Sequence, residues 1–257
     1  MSRHRTEILG VPVDVLNWTS ALRAVEQQLD APGTRRTVIA VNPEKVIRAQ
    51  QDRALLATLR RAALLIPDGI GVVAAARLLG RGRMQRVAGA ELMPRICELA
   101  AARGDSIYLF GASEEVNLKA AAALARQHHS LRIAGRHHGY VADSDMDRVI
   151  DDINASDARI LFLALGSPRQ ELWMDRYLPR TSVALCQGVG GTFDVLAGTV
   201  KRAPAPFILL NLEWLYRLLA QPRRLFRQTA LPKFALQVLS AFILGSEGAA
   251  TPPRRGA

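Results

Sequence analysis

The sequence predicts an α/β fold: a Rossmann-like parallel sheet with helices on both faces, followed by a basic amphipathic helical appendage at the C-terminus. Three observations predict it. Short continuous apolar runs such as Leu64-Leu65-Ile66 and Ile160-Leu161-Phe162-Leu163-Ala164-Leu165 alternate with helical patterns, as strands buried on both faces of a parallel sheet require. Turns bearing glycine or a single polar group follow these runs directly. From Pro204 onward the alternation stops and the chain becomes helical and basic.

Taken in order, Ile8–Val15 reads as a short extended segment. Thr19 or Ser20 is the expected cap of a helix to about Leu29, ended by Ala31-Pro32-Gly33. Thr37–Val41 is a β-branched strand, and Asn42-Pro43 opens a helix with the cap and first-turn residues such a start favours. That helical region runs to about Ala63 with a break near Asp52. Leu64–Ile66 is a strand, Pro67-Asp68-Gly69 a turn, and Val72–Leu79 and Gly89–Arg103 are helical. Strands at Ser106–Phe110, Leu131–Gly135, Ile160–Leu165 and Val183–Gln187 then alternate with helices at Glu114–His128, Met146–Ile153 and from Arg169 to near Leu178. Phe207–Leu219 is a strongly apolar helix, and Leu225–Gly245 one or two amphipathic ones. The chain divides as an α/β domain over 1–200, a helical appendage over 201–245, and a disordered tail over 246–257.

A chain of 257 residues, 49% of them hydrophobic, supports one large α/β core with an appendage. The net charge of +11 is uneven: residues 201–257 hold nine Lys/Arg against two acids, +7 of the total. A basic tail implies an anionic partner, whether nucleic acid, acidic lipid or a phosphorylated substrate. Met1–Gly10 carries charges and no apolar run, so no N-terminal signal is expected there, in keeping with the cytoplasmic location expected of the chain. No stretch reaches the roughly 20 apolar residues of a spanning helix. Cys97 and Cys186 lie in apolar elements without metal-like spacing and are expected to be inert.

Three strand-to-helix turns carry polar groups: Asn42, Asp68 and Ser167/Gln170. Each has a purely local role open to it. Asn42 and Asp68 are good N-caps, and Ser167-x-x-Gln170 matches a capping box. In a parallel sheet, however, all three turns lie on one carboxyl-end edge and converge on one crevice. Gly111-Ala112-Ser113 and Gly188–Gly191 are glycine-bearing loops at the same edge, where backbone N–H groups can approach an anion. Neither matches a Walker or dinucleotide fingerprint. Glu114 and Glu115 would repel a phosphate at the first loop, so the Gly188–Asp194 side is the better ligand side. Asp68 fits a general base that takes the proton of an acceptor hydroxyl. No Asp/Glu/His cluster has metal-ligand spacing, which leaves Arg or Lys, Arg86 among them, to stabilise a departing diphosphate. Asp194 fits a hydrogen-bond acceptor for ribose or base, or a further helix cap. His128-His129 and His137-His138 read as loop or helix-end residues.

Six motifs occur in order: Pro67-Asp68-Gly69, Arg86-Val87-x-Gly89, Gly166-x-Pro168-x-Gln170-Glu171, Gly190-Gly191-x-Phe193-Asp194, Arg202-Ala203-Pro204 and Glu213-Trp214-x-Tyr216-Arg217. From about Val11 to Arg227 the chain resembles the WecG/TagA/CpsF glycosyltransferases, glycosyltransferase family 26. The resemblance implies a fold of the GT-E type and an inverting, metal-independent transfer without cofactor. The donor would be a UDP-sugar carrying a hexose, N-acetylhexosamine or uronic acid. The acceptor would be a hydroxyl of a polyprenyl-diphosphate-linked saccharide, and the products bacterial surface polysaccharides. By the same resemblance Asp68 is the catalytic base, acting with Gln170 and Arg86. Asn42, Gly69, Gly111, Gly166, Gly190 and Gly191 fall in the substrate site, and Tyr140 and Asp194 face the nucleoside. Arg217, Arg224 and Arg227 belong to a tail that closes over the site and engages an anionic membrane surface, on the inner face of the plasma membrane. Where family members often carry Thr two residues before the asparagine, this chain has Ala40. That loses a hydroxyl near the diphosphate or sugar and leaves the donor sugar open.

The basic tail suits such a peripheral membrane role, combining apolar insertion with charge. Two readings compete: a catalytically inactive sugar-nucleotide-binding protein on the same fold, and a basic nucleic-acid-binding module. The second has no helix-turn-helix, zinc-finger or aromatic RNA-binding motif behind it, so no nucleic-acid partner is expected. The apolar tail helices leave room for a homo-oligomer interface.

Overall fold

Aliphatic runs buried on both sides build one six-stranded parallel sheet, seen in a computed structural model that describes residues 4–31, 33, 35–200, 204, 207, 216 and 229–246. Its strands are β3 (Arg36–Val41), β4 (Leu64–Pro67), β5 (Ser106–Gly111), β6 (Arg132–His137), β7 (Ile160–Ala164) and β8 (Leu185–Gly188). They lie in the order β4-β3-β8-β7-β5-β6. Successive side chains enter opposite layers. Leu65, Leu161 and Cys186 join one apolar cluster, while Leu64, Ile66, Phe162 and Leu185 join the other. The Rossmann-like α/β fold expected from the sequence is therefore present. The two cysteines are free and buried in opposite layers, and burial pushes the Cys97 thiol up to about 12.

The first layer holds α2 (Pro43–Gln51), α3 (Arg53–Arg61), α4 (Ile70–Leu78), α7 (Met146–Ala155) and α8 (Arg169–Tyr177). The second holds α1 (Trp18–Asp30), α5 (Gly89–Arg103), α6 (Glu114–Gln127) and α9 (Thr192–Leu196). Asp52 makes the break expected near it. Its N–H closes α2 on the Arg48 carbonyl at 2.9 Å, and its carboxylate caps α3 at the Leu55 N–H at 3.0 Å.

The extended segment expected over 8–15 is instead a hairpin, β1 (Arg5–Ile8) and β2 (Val11–Asp14), turning at Leu9-Gly10 with both residues at positive φ. Asp14 joins it to the sheet. Its buried carboxylate takes a bidentate pair from Arg5 (2.7 and 3.1 Å) and the Leu65 N–H at 2.8 Å. The hairpin thus covers the outer edge of β4, which would otherwise expose unpaired backbone. The cap of α1 is Asn17 and not Thr19 or Ser20; Ser20 supplies the reciprocal half of the capping box.

The last described helix, α10 (Ala230–Ser246), lies within the predicted amphipathic stretch. Ala230, Phe234 and Val238, four residues apart, bury against α2 and α4. Gln237 accepts a hydrogen bond from Gln50 at 2.9 Å. Of the predicted helix over 207–219, only Phe207 and Tyr216 are described, both helical, with ring centroids 5.6 Å apart. The rest of that stretch and the tail over 247–257 lie outside the described residues.

The β5–α6 turn owes its shape to Gly111. At φ +129°, a Cβ there would lie 2.5 Å from the Ala164 backbone of β7. Gly111→Ala is expected to destabilise the protein by at least about 2 kcal/mol in urea denaturation, through positive-φ strain and overpacking together.

Candidate active site

The turn after β3 leads into α2 in the first layer, and the turn after β8 leads into α9 in the second. Neighbouring strands whose connections leave in opposite directions open a crevice at their carboxyl ends. The strands β4-β3-β8-β7 are consecutive in the sheet. Their following turns carry Asp68 and Gly69, then Asn42, then Gly190, Gly191 and Asp194, then Gly166 and Gln170. The structure therefore brings most of the predicted residues to one stretch of edge. Gly111 ends β5 and Tyr140 follows β6, farther along it.

Asp68 extends the sheet by one residue, its N–H donating to the Val41 carbonyl at 2.8 Å. It does not cap α4; Gly69 holds that position, at φ +121° and without a side-chain cap. A Cβ on Gly69 would sit 3.6 Å from Asn42 Cβ, and one on Gly71 would meet Pro43 Cγ at 2.7 Å. Glycine at both places lets the start of α4 close on the start of α2. The half-buried Asp68 carboxylate accepts the Gly89 N–H of the first turn of α5 at 3.4 Å. Gln187, buried on β8, donates to the Gly89 carbonyl at 3.0 Å and holds that turn beneath Asp68.

The chain after α4 returns along the end of β4, the Val87 N–H bonding the Pro67 carbonyl at 2.9 Å. This sets Arg86 beside the Asp68 turn, half-buried and paired with Glu91 at 3.5 Å. Ala40 lies next to the same turn, its Cβ 3.5 Å from where a Gly89 Cβ would stand. Asn42 caps α2, taking the Lys45 N–H at 2.8 Å. A cap at the mouth of the sheet is also a residue at the mouth of the crevice.

The capping box that Ser167-x-x-Gln170 matches does not form. Helix α8 is capped by Pro168, one residue later, so Gln170 falls at the second helical position. Its buried amide turns inward: Oε1 accepts the Gly190 N–H at 3.1 Å, and Nε2 donates to Glu171 Oε1, also at 3.1 Å. Gly166 (φ +77°) and Gly190 (φ +52°) both need the left-handed region. Asp194 sits in the first turn of α9, which Gly191 caps. Tyr140 is 76% exposed, with its N–H on His138 Nδ1. His137 closes β6 and does not belong to a loop. Arg217, Arg224 and Arg227 lie outside the described residues. Among the described residues no group of three or more His, Cys, Asp or Glu gathers as a metal site.

Sequence reasoning overlooked the ion pair under the crevice. Lys45 Nζ meets Glu171 Oε1 at 2.5 Å, with side-chain exposures of 5% and 0%. Burial pushes the Glu171 carboxyl up, but the Lys45 charge and hydrogen bonds from Lys45, Gln170 and Ser167 outweigh it and hold it below its ordinary value. One signal was available: a lysine in the first turn of a helix, against the dipole, on its buried face beside Val46.

A carboxylate, an arginine and glycine turns at a switch point of a parallel α/β sheet form a ligand-binding crevice in general terms. Comparison with known proteins specifies the class. Residues 6–247 match the model of the glycosyl transferase WecG/TagA/CpsF family. An N-acetylglucosaminyldiphosphoundecaprenol N-acetyl-beta-D-mannosaminyltransferase of Bacillus spizizenii (strain W23) is 37% identical over 202 residues, 79% of this chain and 78% of the relative. A protein of the same name from Bacillus subtilis (strain 168) is 34% identical over 232 residues, 90% of each chain. The chain belongs to the WecG/TagA/CpsF family and is a glycosyltransferase.

Lys45→Met leaves a buried carboxylate unpaired and is expected to lower stability by about 3–5 kcal/mol at pH 7. In the wild type the folded state holds the Glu171 proton less tightly than the unfolded chain, so this stabilisation is present at neutral pH. It is lost as pH falls from the ordinary value of 4.5 through the depressed one. In the variant the Lys45 charge and hydrogen bond no longer offset burial, so this contribution shrinks. Denaturant titrations across pH should show the gap between the two proteins narrowing as pH falls.

Proposed function

We propose that the protein transfers a sugar, of the N-acetylhexosamine class, from a UDP-sugar to a hydroxyl of a polyprenyl-diphosphate-linked saccharide, with inversion and without a metal. The two relatives are named for N-acetylmannosaminyl transfer to N-acetylglucosaminyl-diphospho-undecaprenol, which supports the sugar class and the acceptor. The observation that carries the chemistry is Asp68. It is a half-buried carboxylate at the switch-point edge, spared from helix capping and oriented by the Gly89 N–H.

In this reading Asp68 accepts the proton of the acceptor hydroxyl as its oxygen bonds the anomeric carbon. The anomeric bond to the diphosphate breaks on the opposite face, and UDP leaves. Arg86 and the amides of the Gly190–Gly191 turn compensate the departing charge. The nucleoside lies toward Asp194 and Tyr140. Arg217, Arg224 and Arg227 complete the diphosphate site from the tail.

The acceptor's lipid calls for a membrane contact, and α10 offers one. Opposite its buried stripe, Leu236, Leu239 and Ile243 are 67%, 51% and 54% exposed. Phe234, on the buried side, lies 3.8 Å from where a Gly71 Cβ would stand, just past the Asp68 turn. The exposed apolar face and the basic residues of 201–233 dock the protein peripherally on the inner face of an anionic membrane. Among the described residues no helix is long and apolar enough to cross one.

Asp68→Asn is expected to fold and bind UDP as the wild type does, while losing at least about 100-fold in kcat. Retained turnover removes Asp68 as the base. Leu239→Ser/Ile243→Ser is expected to reduce co-sedimentation with anionic phospholipid vesicles by at least about tenfold, since two apolar side chains no longer insert. Unchanged sedimentation removes α10 as the docking face.

A further inference from the structure

The Lys45–Glu171 pair is difficult to explain as a source of stability. Lysine and glutamate are seldom fully buried. A buried ion pair commonly stabilises no more than well-packed apolar residues of the same volume. Lys45 also occupies the first turn of α2, where the helix dipole disfavours a cation. Local rules broken in this way tend to mark functional sites.

What the pair does locally is set a polarity. An ammonium only donates and an ionised carboxylate only accepts. Glu171 Oε1 therefore receives both Lys45 Nζ at 2.5 Å and Gln170 Nε2 at 3.1 Å. With its NH2 end committed there, the Gln170 amide must turn its oxygen to the Gly190 N–H, 3.1 Å away. The reversed amide would set donor against donor at Gly190 and acceptor against acceptor at Glu171. Gly188 makes the room, since a Cβ there would fall 2.7 Å from Gln170 Nε2. Gly190, at φ +52°, leads directly into the exposed Gly191 and the start of α9.

We propose that Lys45 and Glu171 are positioning residues: by fixing the polarity of the Gln170 amide they hold the Gly190–Gly191 turn in the shape that receives the donor's diphosphate. The kinetic part of this rests on the transfer reaction proposed above; the structural part does not.

The test uses the full chain and two variants. Lys45→Met/Glu171→Met removes the pair without leaving a charge behind, and is expected to fold with a thermal midpoint within about 5 °C of wild type. Glu171→Gln keeps an oxygen that Lys45 and Gln170 can both reach, so the polarity survives; the Lys45 ammonium loses its counter-charge, so exchange in this variant is read at a pH and temperature where it is fully folded. Hydrogen exchange at the Gly190 amide, followed by NMR, is expected to quicken at least about tenfold in the double variant and to stay near wild type in Glu171→Gln. With UDP-sugar as donor, the double variant should raise donor KM by about tenfold or more with a smaller change in kcat, and Glu171→Gln should stay within about threefold. A folded double variant with wild-type Gly190 exchange overturns the proposal. So does fast exchange in Glu171→Gln, which decides the matter if the double variant does not fold. If the wild type transfers no sugar at all, the proposed reaction fails, and Gly190 exchange still judges the positioning role.

Discussion

The crevice at the carboxyl end of the sheet follows from one topological constraint. Strand β3 sits beside β8, and the chain leaves these neighbours toward opposite layers. Among the described residues neither strand's own connection crosses the gap between them, which leaves a crevice there. Asp68 and Asn42 lie on one side of it, and the glycine turn of β8 with Gln170 on the other. The glycines at 69, 71 and 188 are the local consequence. Each stands where a neighbouring side chain comes too close for a Cβ, or where the backbone takes a positive φ.

The turns are held from below by polar side chains buried in the layers under the edge. Gln187 reaches the first turn of α5, which in turn donates to Asp68. Lys45, Glu171 and Gln170 reach the turn before α9. Buried polar groups can pair in few arrangements, so each of these hydrogen bonds orients the turn that it reaches. The same logic joins the site to α10. One face of that helix packs on α2 and α4, whose first turns border the crevice, and the opposite face is apolar and exposed.

Much of this was legible in the sequence because it is local. Continuous apolar runs identify strands buried on both faces, and Asn42-Pro43 and Asp52 announce helix boundaries through their own side chains. The convergence of Asn42, Asp68 and Gln170 follows from parallel topology alone. What escaped has physical reasons. The hairpin turn is hidden because Leu9, at φ 51°, occupies a position that usually calls for Asn, Asp or Gly. The cap of α8 falls one residue past Ser167, which sends Gln170 inward to Gly190 and away from a capping box. Lys45 and Glu171 are 126 residues apart, and no periodicity reports a contact at that separation. The basic residues at 217, 224 and 227 remain sequence expectations, since they lie outside the described residues.

A transfer assay on the full chain tests the proposed reaction of Asp68 most directly. Purified protein meets a panel of UDP-sugars and a short-chain polyprenyl-diphosphate-linked N-acetylglucosamine, with and without EDTA. UDP release, lipid product and the anomeric configuration of the new bond are the readouts. An EDTA-resistant product of inverted configuration is expected with a UDP-N-acetylhexosamine. A product of retained configuration, or one abolished by EDTA, would contradict the Asp68 mechanism. UDP-sugar binding without product from any donor would contradict the assigned reaction.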